Sequence, residues 1–321
     1  MASATLGREH HHGRGRSAER PQDIPSRGWW DILKRVGRQL SKDRISIIAA
    51  GVAFYALFAV FPGLAALVSI YGLVFDPQQV AAQIQALEAF LPPEAAEILV
   101  QQLGDVSSSE RSSLGLAAVG GILVALWSAS KGVKTLMEAL NVAYHEEEKR
   151  GFFRLNATAL VLTLGAVLSA IVAIALIVAL PAIITFLGLG RVAEILIGLG
   201  HLLLLGALMV FGMAVVFRFG PSRKEAKWRW VSPGALSGTV LWLAGSALFA
   251  VYVRNFANYN ETYGAMGAVV ILLTWFLLTA YAILIGAELN GEIERQTAKD
   301  TTESGKPLGG RGAYAADTVA G

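Results

Sequence analysis

RISIIAAGVAFYALFAVFPGLAALVSIYGLVFD, residues 44–76, decides the fold: between Arg44 and Asp76 lie 31 residues without a single charge. A helix rises about 1.5 Å per residue, so ~20 apolar residues already cross a bilayer core. This stretch is long enough to span with residues to spare. Near its middle stands Pro62-Gly63, where proline removes an intrahelical hydrogen bond and glycine relaxes the backbone. The pair predicts a bend that serves either function or packing against neighbouring helices.

The rest of the chain has the same character. Of its 321 residues, 54% are hydrophobic and only 16% charged, against about 25% charged in an ordinary soluble domain. The charges cluster and leave several long uncharged tracts, the pattern of a polytopic membrane protein. There is no cysteine, which excludes disulfides, thiolate metal ligands and thiol nucleophiles.

Residues 1–27 are polar and basic and read as a disordered cytoplasmic tail. His10, His11 and His12 lack a closed ligand set, and no metal site or cofactor is expected from them or from elsewhere in the chain. From Trp29 the pattern changes: Ile32, Leu33, Val36 and Leu40 recur at helical spacing with Lys34, Arg35 and Arg38 between them. An amphipathic helix lying on the membrane surface is expected, with Trp29 and Trp30 at headgroup level.

Six spans follow, at about 45–75, 112–131, 155–181, 195–217, 231–253 and 263–286, within a membrane domain covering 28–292. The region 76–111 carries two helical apolar patterns broken by Pro92-Pro93, which suit an amphipathic cap outside the bundle. A basic loop holding Trp228 and Trp230, two further expected interfacial anchors, joins spans four and five. The tail 293–321 is polar and expected to be disordered.

Charge fixes orientation. Segment three is uncharged from residue 155 to 190 and reads as one long helix or two tight spans. With six spans, the alternating loops and tails carry 24 Lys and Arg on one side and 3 on the other, all 27 in the chain. The positive-inside rule then puts both termini in the cytoplasm. Splitting segment three would send the basic 218–230 loop outside.

No HExxH, Walker loop, GxSxG or dinucleotide glycine motif is present. The basic loops are explained by topology, so nothing points to a nucleic-acid partner. Polar residues inside the spans say more. Most Ser and Thr are expected to bond backbone carbonyls or bridge helices. Tyr55, Pro62, Gly63, Lys131, Asn141, Tyr144, Tyr252, Tyr259, Tyr263 and Glu288 are the candidates for a substrate path or gate. Glu288 follows an apolar run and should seek a partner; Lys131 or Arg44 is the expected one, closing the cytoplasmic side.

Several stretches together carry a resemblance. AAGVAFYALFAVFPGLAALVSIYG, LWSASKGVKTLMEALNVAY, RGFFRLNATAL, WRWVSPGALSGTVLWLAGSALFAVYV and NYNETYGAMGAVVILLTWFLLTAYAILIGAELNGE resemble the BrkB/YihY family of bacterial inner-membrane proteins, over about residues 30–292. The resemblance implies six membrane spans and an inner-membrane location. It also implies that the ribonuclease BN label carried by some members is a misassignment.

Three functional classes remain. The first is a transporter or other protein handling a membrane lipid or amphiphile. The second is a structural or partner-binding envelope protein docking through 76–111. An enzyme, including a membrane-bound ribonuclease, ranks last. A homo-oligomer is compatible with each.

Overall fold

The computed structural model describes residues 15, 18, 20–74, 111–186, 191–223, 228–255 and 265–296. Tyr259, Tyr263, the outer region 76–110 and His10–His12, for which expectations were stated above, lie outside these residues. Among the described residues there is no strand. A short 3-10 turn, Pro21–Asp23, leads into the seven helices of the described residues: α1 Ser26–Lys42, α2 Ile45–Val74, α3 Arg111–Ala143, α4 Phe152–Phe186, α5 Arg191–Phe219, α6 Trp228–Asn255 and α7 Ala265–Arg295.

Each of the six uncharged segments falls on one of the long helices α2–α7, of which the shortest, α6, has 28 residues. At 1.5 Å per residue that is about 42 Å, more than the ~30 Å of a bilayer core. By length and composition, three described stretches qualify as membrane spans: Phe152–Ala173, Trp230–Arg254 and Gly267–Arg295. A fourth qualifies if the bent pair Ser26–Lys42 and Ile45–Val60 counts as one. The chain is thus a multi-pass membrane protein, helical over nearly all of its described residues. Segment three is a single helix that continues through Pro181. The α2 helix likewise runs on past Pro62 and Gly63 without interruption.

The interior polar groups follow the membrane logic of satisfying themselves locally. Thr163 bonds the carbonyl of Ala159, Thr239 that of Ala235 and Thr279 that of Trp275. Between helices, the indole of Trp242 donates to Thr279 and that of Trp275 to Ser246.

The long helices form a closed ring, each packing on its sequence neighbour and α7 returning to α2. Burial within the ring is uneven. The main core comprises the start of α2 (Ile45, Ala49, Val52), the ends of α3 (Leu140, Ala143) and α5 (Met213, Phe217), the start of α6 (Val231, Ala235) and the end of α7 (Leu284, Ala287). These helix ends meet only if successive helices alternate in direction, so the core occupies one end of the bundle. Two glycines set its tightest contact: a Cβ on Gly286 would stand 2.6 Å from the carbonyl oxygen of Gly234, and one on Gly234 would strike that of Gly286.

On α1 the expectation needs correcting. Its apolar stripe does not rest on lipid: Ile32 and Val36 are buried against Trp230, Leu289 and Ile293. Apolar side chains of α6 and α7 offered that stripe a packed partner, which lipid tails cannot match in density. The opposite face, with Trp30, Leu33, Lys34 and Arg38, is exposed, and Lys34 lies over the Trp30 ring at 5.1 Å. A bend of 66° separates α1 from α2, and Arg44 makes it with φ 53°. For a residue with a Cβ this left-handed conformation costs about 1 kcal/mol or more.

Candidate functional site at the closed end of the bundle

The buried end of the bundle carries a dense set of polar side chains. It begins where α3 stops. Asn141, on the last turn, accepts from the Ser222 backbone N–H at 2.7 Å and donates to Glu148 at 3.0 Å. Glu148 holds Arg150 by two side-chain bonds, 2.7 and 2.6 Å long. Arg150 in turn donates to the carbonyls of Phe219 at 3.1 Å and Gly220 at 2.7 Å. Those carbonyls belong to the end of α5, where helix geometry leaves acceptors unpaired and the dipole favours a cation. A short loop from α3 to α4 therefore caps α5.

Burial alone would push the Glu148 carboxyl up, but the Arg150 side chain, the Arg150 backbone N–H and the Asn141 amide outweigh it and hold the group below its ordinary 4.5. A carboxylate depressed in the folded state stabilises the protein above its unfolded value and loses that contribution as pH falls. Glu148→Gln should therefore cost about 1–2 kcal/mol at neutral pH, discounted for partial exposure. The difference should vanish on acidification below 4.5, as thermal unfolding measured across pH would show.

A second group ties α7 to α6 and α3. Asn290 is fully buried. Its side-chain oxygen accepts from the Gly234 N–H at 2.7 Å. Its amide nitrogen donates to the Val231 carbonyl and to the Tyr144 hydroxyl, both at 3.1 Å. Arg223 places its guanidinium 4.0 Å from the centre of the Tyr144 ring and bonds both oxygens of Glu294 at 2.8 Å. Burial pushes the Tyr144 hydroxyl well above its ordinary value, with Arg223 opposing. It stays a neutral phenol, fit to hydrogen-bond rather than to exchange protons. Arg35 on α1 completes the set, bonding Glu292 and Gln296 at 2.5 Å each.

Of the sequence candidates, Asn141, Tyr144 and Glu288 come together at this end. Glu288 does not pair as expected. Its side chain is fully buried, and neither oxygen has a hydrogen-bond partner among the described residues. Arg44 is exposed, while Lys131 lies 3.6 Å over the Trp127 ring. For Lys131 the reason is distance: it stands more than three turns before the end of α3, about 18 Å of helix. Lys134, one turn further on, bonds Asn156 of α4 at 2.5 Å.

Tyr55 and Tyr252 are exposed, and the Tyr55 carbonyl abuts Gly132 where α2 crosses α3. Among the expected anchors, Trp30 and Trp228 are exposed and Trp29 is half-buried. Trp228 stacks on Phe211 with Arg218 above it, 4.6 Å from its ring centre. Trp230 is corrected: it is 2% exposed, enclosed by α1 and α7, and reaches no headgroup. Asn290, Arg223, Glu294 and Arg150 were missed by sequence reasoning. Asn290 and Glu294 follow a long apolar run, and their polarity so near its end was the available signal.

Away from the polar cluster one length of α4 is left exposed. Thr163 on α4 faces Ser130 on α3, their hydroxyls 3.4 Å apart and buried. One turn further on the same face of α4, Val167 is 44% exposed. Residues 164–168 are exposed in succession, and five residues at 100° each go right round a helix. This length of α4 is therefore open on its bundle-facing side as well as its outer one.

Comparison with known proteins bears on this arrangement. The sequence model of a family described as Virulence factor BrkB matches residues 36–308. Ribonuclease-like protein YfkH of Bacillus subtilis (strain 168) is 31% identical over 260 residues, covering 77% of this chain and 90% of its own. A UPF0761 membrane protein of Aeromonas salmonicida (strain A449) is 27% identical over 277 residues, 83% of this chain and 90% of its own. One from Vibrio campbellii (strain ATCC BAA-1116) is 27% identical over 278 residues, 85% and 84% of the two chains. No solved structure matches.

Proposed function

This chain belongs to the virulence factor BrkB family, and from that premise we propose that it is a six-span inner-membrane protein handling a lipid or other amphiphile. Both termini are cytoplasmic. The charge distribution, 24 basic residues against 3, supports this orientation. So does the meeting of α1, the α3–α4 junction, the α5–α6 junction and the end of α7 at one end of the bundle. That end is the cytoplasmic plug.

The observation that carries the reading is the exposure of residues 164–168 all round α4. In a membrane, a helix open on its inner face leaves a gap reached from the lipid, with exposed, apolar Val167 and Leu168 in its wall. Such a border suits acyl chains, while the plug beyond Thr163 blocks water. An apolar cleft between the helices of a bundle is the usual form of such a site. Enzymatic activity forms no part of the proposal: "ribonuclease-like" is a word in the Bacillus relative's name, and the Aeromonas and Vibrio relatives are called membrane proteins.

Purified protein in liposomes should accelerate movement of a labelled phospholipid or single-chain amphiphile between leaflets. Val167→Trp, which fills the gap, should slow that movement about tenfold, equivalent to about 1.4 kcal/mol on the barrier. Val167→Ala should not. No movement above protein-free liposomes for either label, or equal rates for the parent and Val167→Trp, would sink the proposal.

A further inference from the structure

Glu288 is the outstanding unexplained group of the molecule. Buried polar atoms are almost always hydrogen-bonded, and buried charges are paired or bind metal. Here both carboxylate oxygens meet no hydrogen-bond partner among the described residues, and the side chain is fully enclosed. The cations nearby are engaged elsewhere: Glu292, one turn on, takes Arg35 at 2.5 Å and Arg295 at 2.9 Å.

Two other potential ligands converge on Glu288. Asp43 comes from the α1–α2 junction and His145 from the α3–α4 junction. One ligand atom from each of the three lies within 4.8 Å of the others. Nε2 of His145 stands 3.4 Å from Oδ2 of Asp43. Two ligands bound tetrahedrally at about 2.0–2.1 Å lie about 3.4 Å apart, so that pair already has coordination spacing. The amide nitrogen of Gln39 contacts both atoms, donating to Asp43 at 3.1 Å and touching the imidazole Nε2.

We infer that Asp43, His145 and Glu288 form a binding site for a divalent first-row transition cation of the Zn²⁺ or Mn²⁺ kind. Two carboxylates and a neutral imidazole carry the charge that such an ion cancels. The imidazole favours a transition metal over Mg²⁺ or Ca²⁺, which prefer oxygen alone. Asp43 and His145 are 15% and 13% exposed, which gives the ion access from the end of the bundle while Glu288 forms the floor.

His145 and Arg44, which follow the ends of α3 and α1, turn the chain there with φ 54° and 53°. A bound ion clips both junctions to α7. The inference is independent of lipid handling.

The test uses the full chain with His10, His11 and His12 replaced by alanine, so that the tail binds nothing. After stripping with chelator, the protein is loaded with Zn²⁺ or Mn²⁺, desalted and assayed for metal by mass spectrometry, with thermal unfolding followed alongside. About one equivalent should be retained, with a metal-dependent rise in Tm. Glu288→Gln should fold as well without metal, since it removes a buried lone carboxylate, yet lose both the bound metal and the Tm rise. His145→Gln and Asp43→Asn should do the same, and they decide the matter if Glu288→Gln fails to fold. Less than about a tenth of an equivalent in the parent, or retention undiminished in the variants, would overturn the site.

Discussion

Gly234→Ala is expected to destabilise the protein by about 3–5 kcal/mol, enough to abolish most folded yield. The added methyl would strike the Gly286 carbonyl oxygen and stand 2.5 Å from the Asn290 side-chain amide. Neither obstacle is the free end of a flexible chain. The carbonyl belongs to the backbone of α7, and Asn290 is held by its own bonds to Gly234, Val231 and Tyr144. Relief requires α6 and α7 to part, which breaks those bonds and leaves buried donors and acceptors unpaired. Overpacking alone costs about 1–3 kcal/mol, and each orphaned buried group costs as much again.

Gly286→Ala should behave similarly, because its Cβ would meet the Gly234 oxygen and, at 3.1 Å, the Phe217 ring. Gly37→Ala is the control: nothing lies within 4 Å of its Cβ, and in an exposed helix alanine gains up to about 1 kcal/mol. Thermal unfolding in detergent, with yield of monodisperse protein, reads all three. A Gly234→Ala variant as stable as its parent would mean that the α6–α7 contact is looser than drawn.

The helices were legible because an apolar stretch of the right length is a one-dimensional signal. Arg44 and Asp76 bracket α2, and Arg154 and Arg191 bracket the uncharged part of α4, without reference to anything distant. The polar cluster was only half legible. Asn141, Tyr144 and Glu288 stood out as polar residues at the margins of spans, yet their partners are set by how α3, α6 and α7 cross, which no local pattern encodes. The expected Glu288 ion pair failed on this point: Lys131 lies about 18 Å of helix before the end of α3, because α3 runs several turns past its apolar stretch, and Arg44 is exposed.

Trp230 misled for a related reason. Its neighbour Trp228 is an exposed aromatic beside Arg218, as an anchor should be. Two residues on, a helix has turned by about 200°, and Trp230 faces α1 and α7 instead. The triad of Asp43, His145 and Glu288 was invisible in principle, its members lying more than a hundred residues apart with no spacing rule between them.

Arg223→Met is expected to cost about 3–5 kcal/mol, the range for removing one partner from a buried ion pair. The Arg223 side chain is 2% exposed and that of Glu294 8%. The guanidinium gives one nitrogen to both carboxylate oxygens, another to the Phe217 carbonyl at 3.4 Å, and its face to Tyr144. Methionine keeps the volume of the stem but none of these interactions. Glu294→Gln should lose less, since the amide oxygen still accepts a bond.

The double variant Arg223→Met/Glu294→Leu should recover much of the loss, because two apolar side chains can pack where two charges had to be desolvated. A double variant as damaged as the sum of the singles would show that the pair acts separately. The pH dependence distinguishes this pair from Glu148. Burial alone would lower the Arg223 value, but Glu294 and Tyr144 outweigh it and hold the group above its ordinary value. A base raised in the folded state stabilises fully below its unfolded value and fades only above it. The deficit of Arg223→Met should therefore not shrink anywhere on the alkaline side that the protein survives, whereas that of Glu148→Gln disappears in acid.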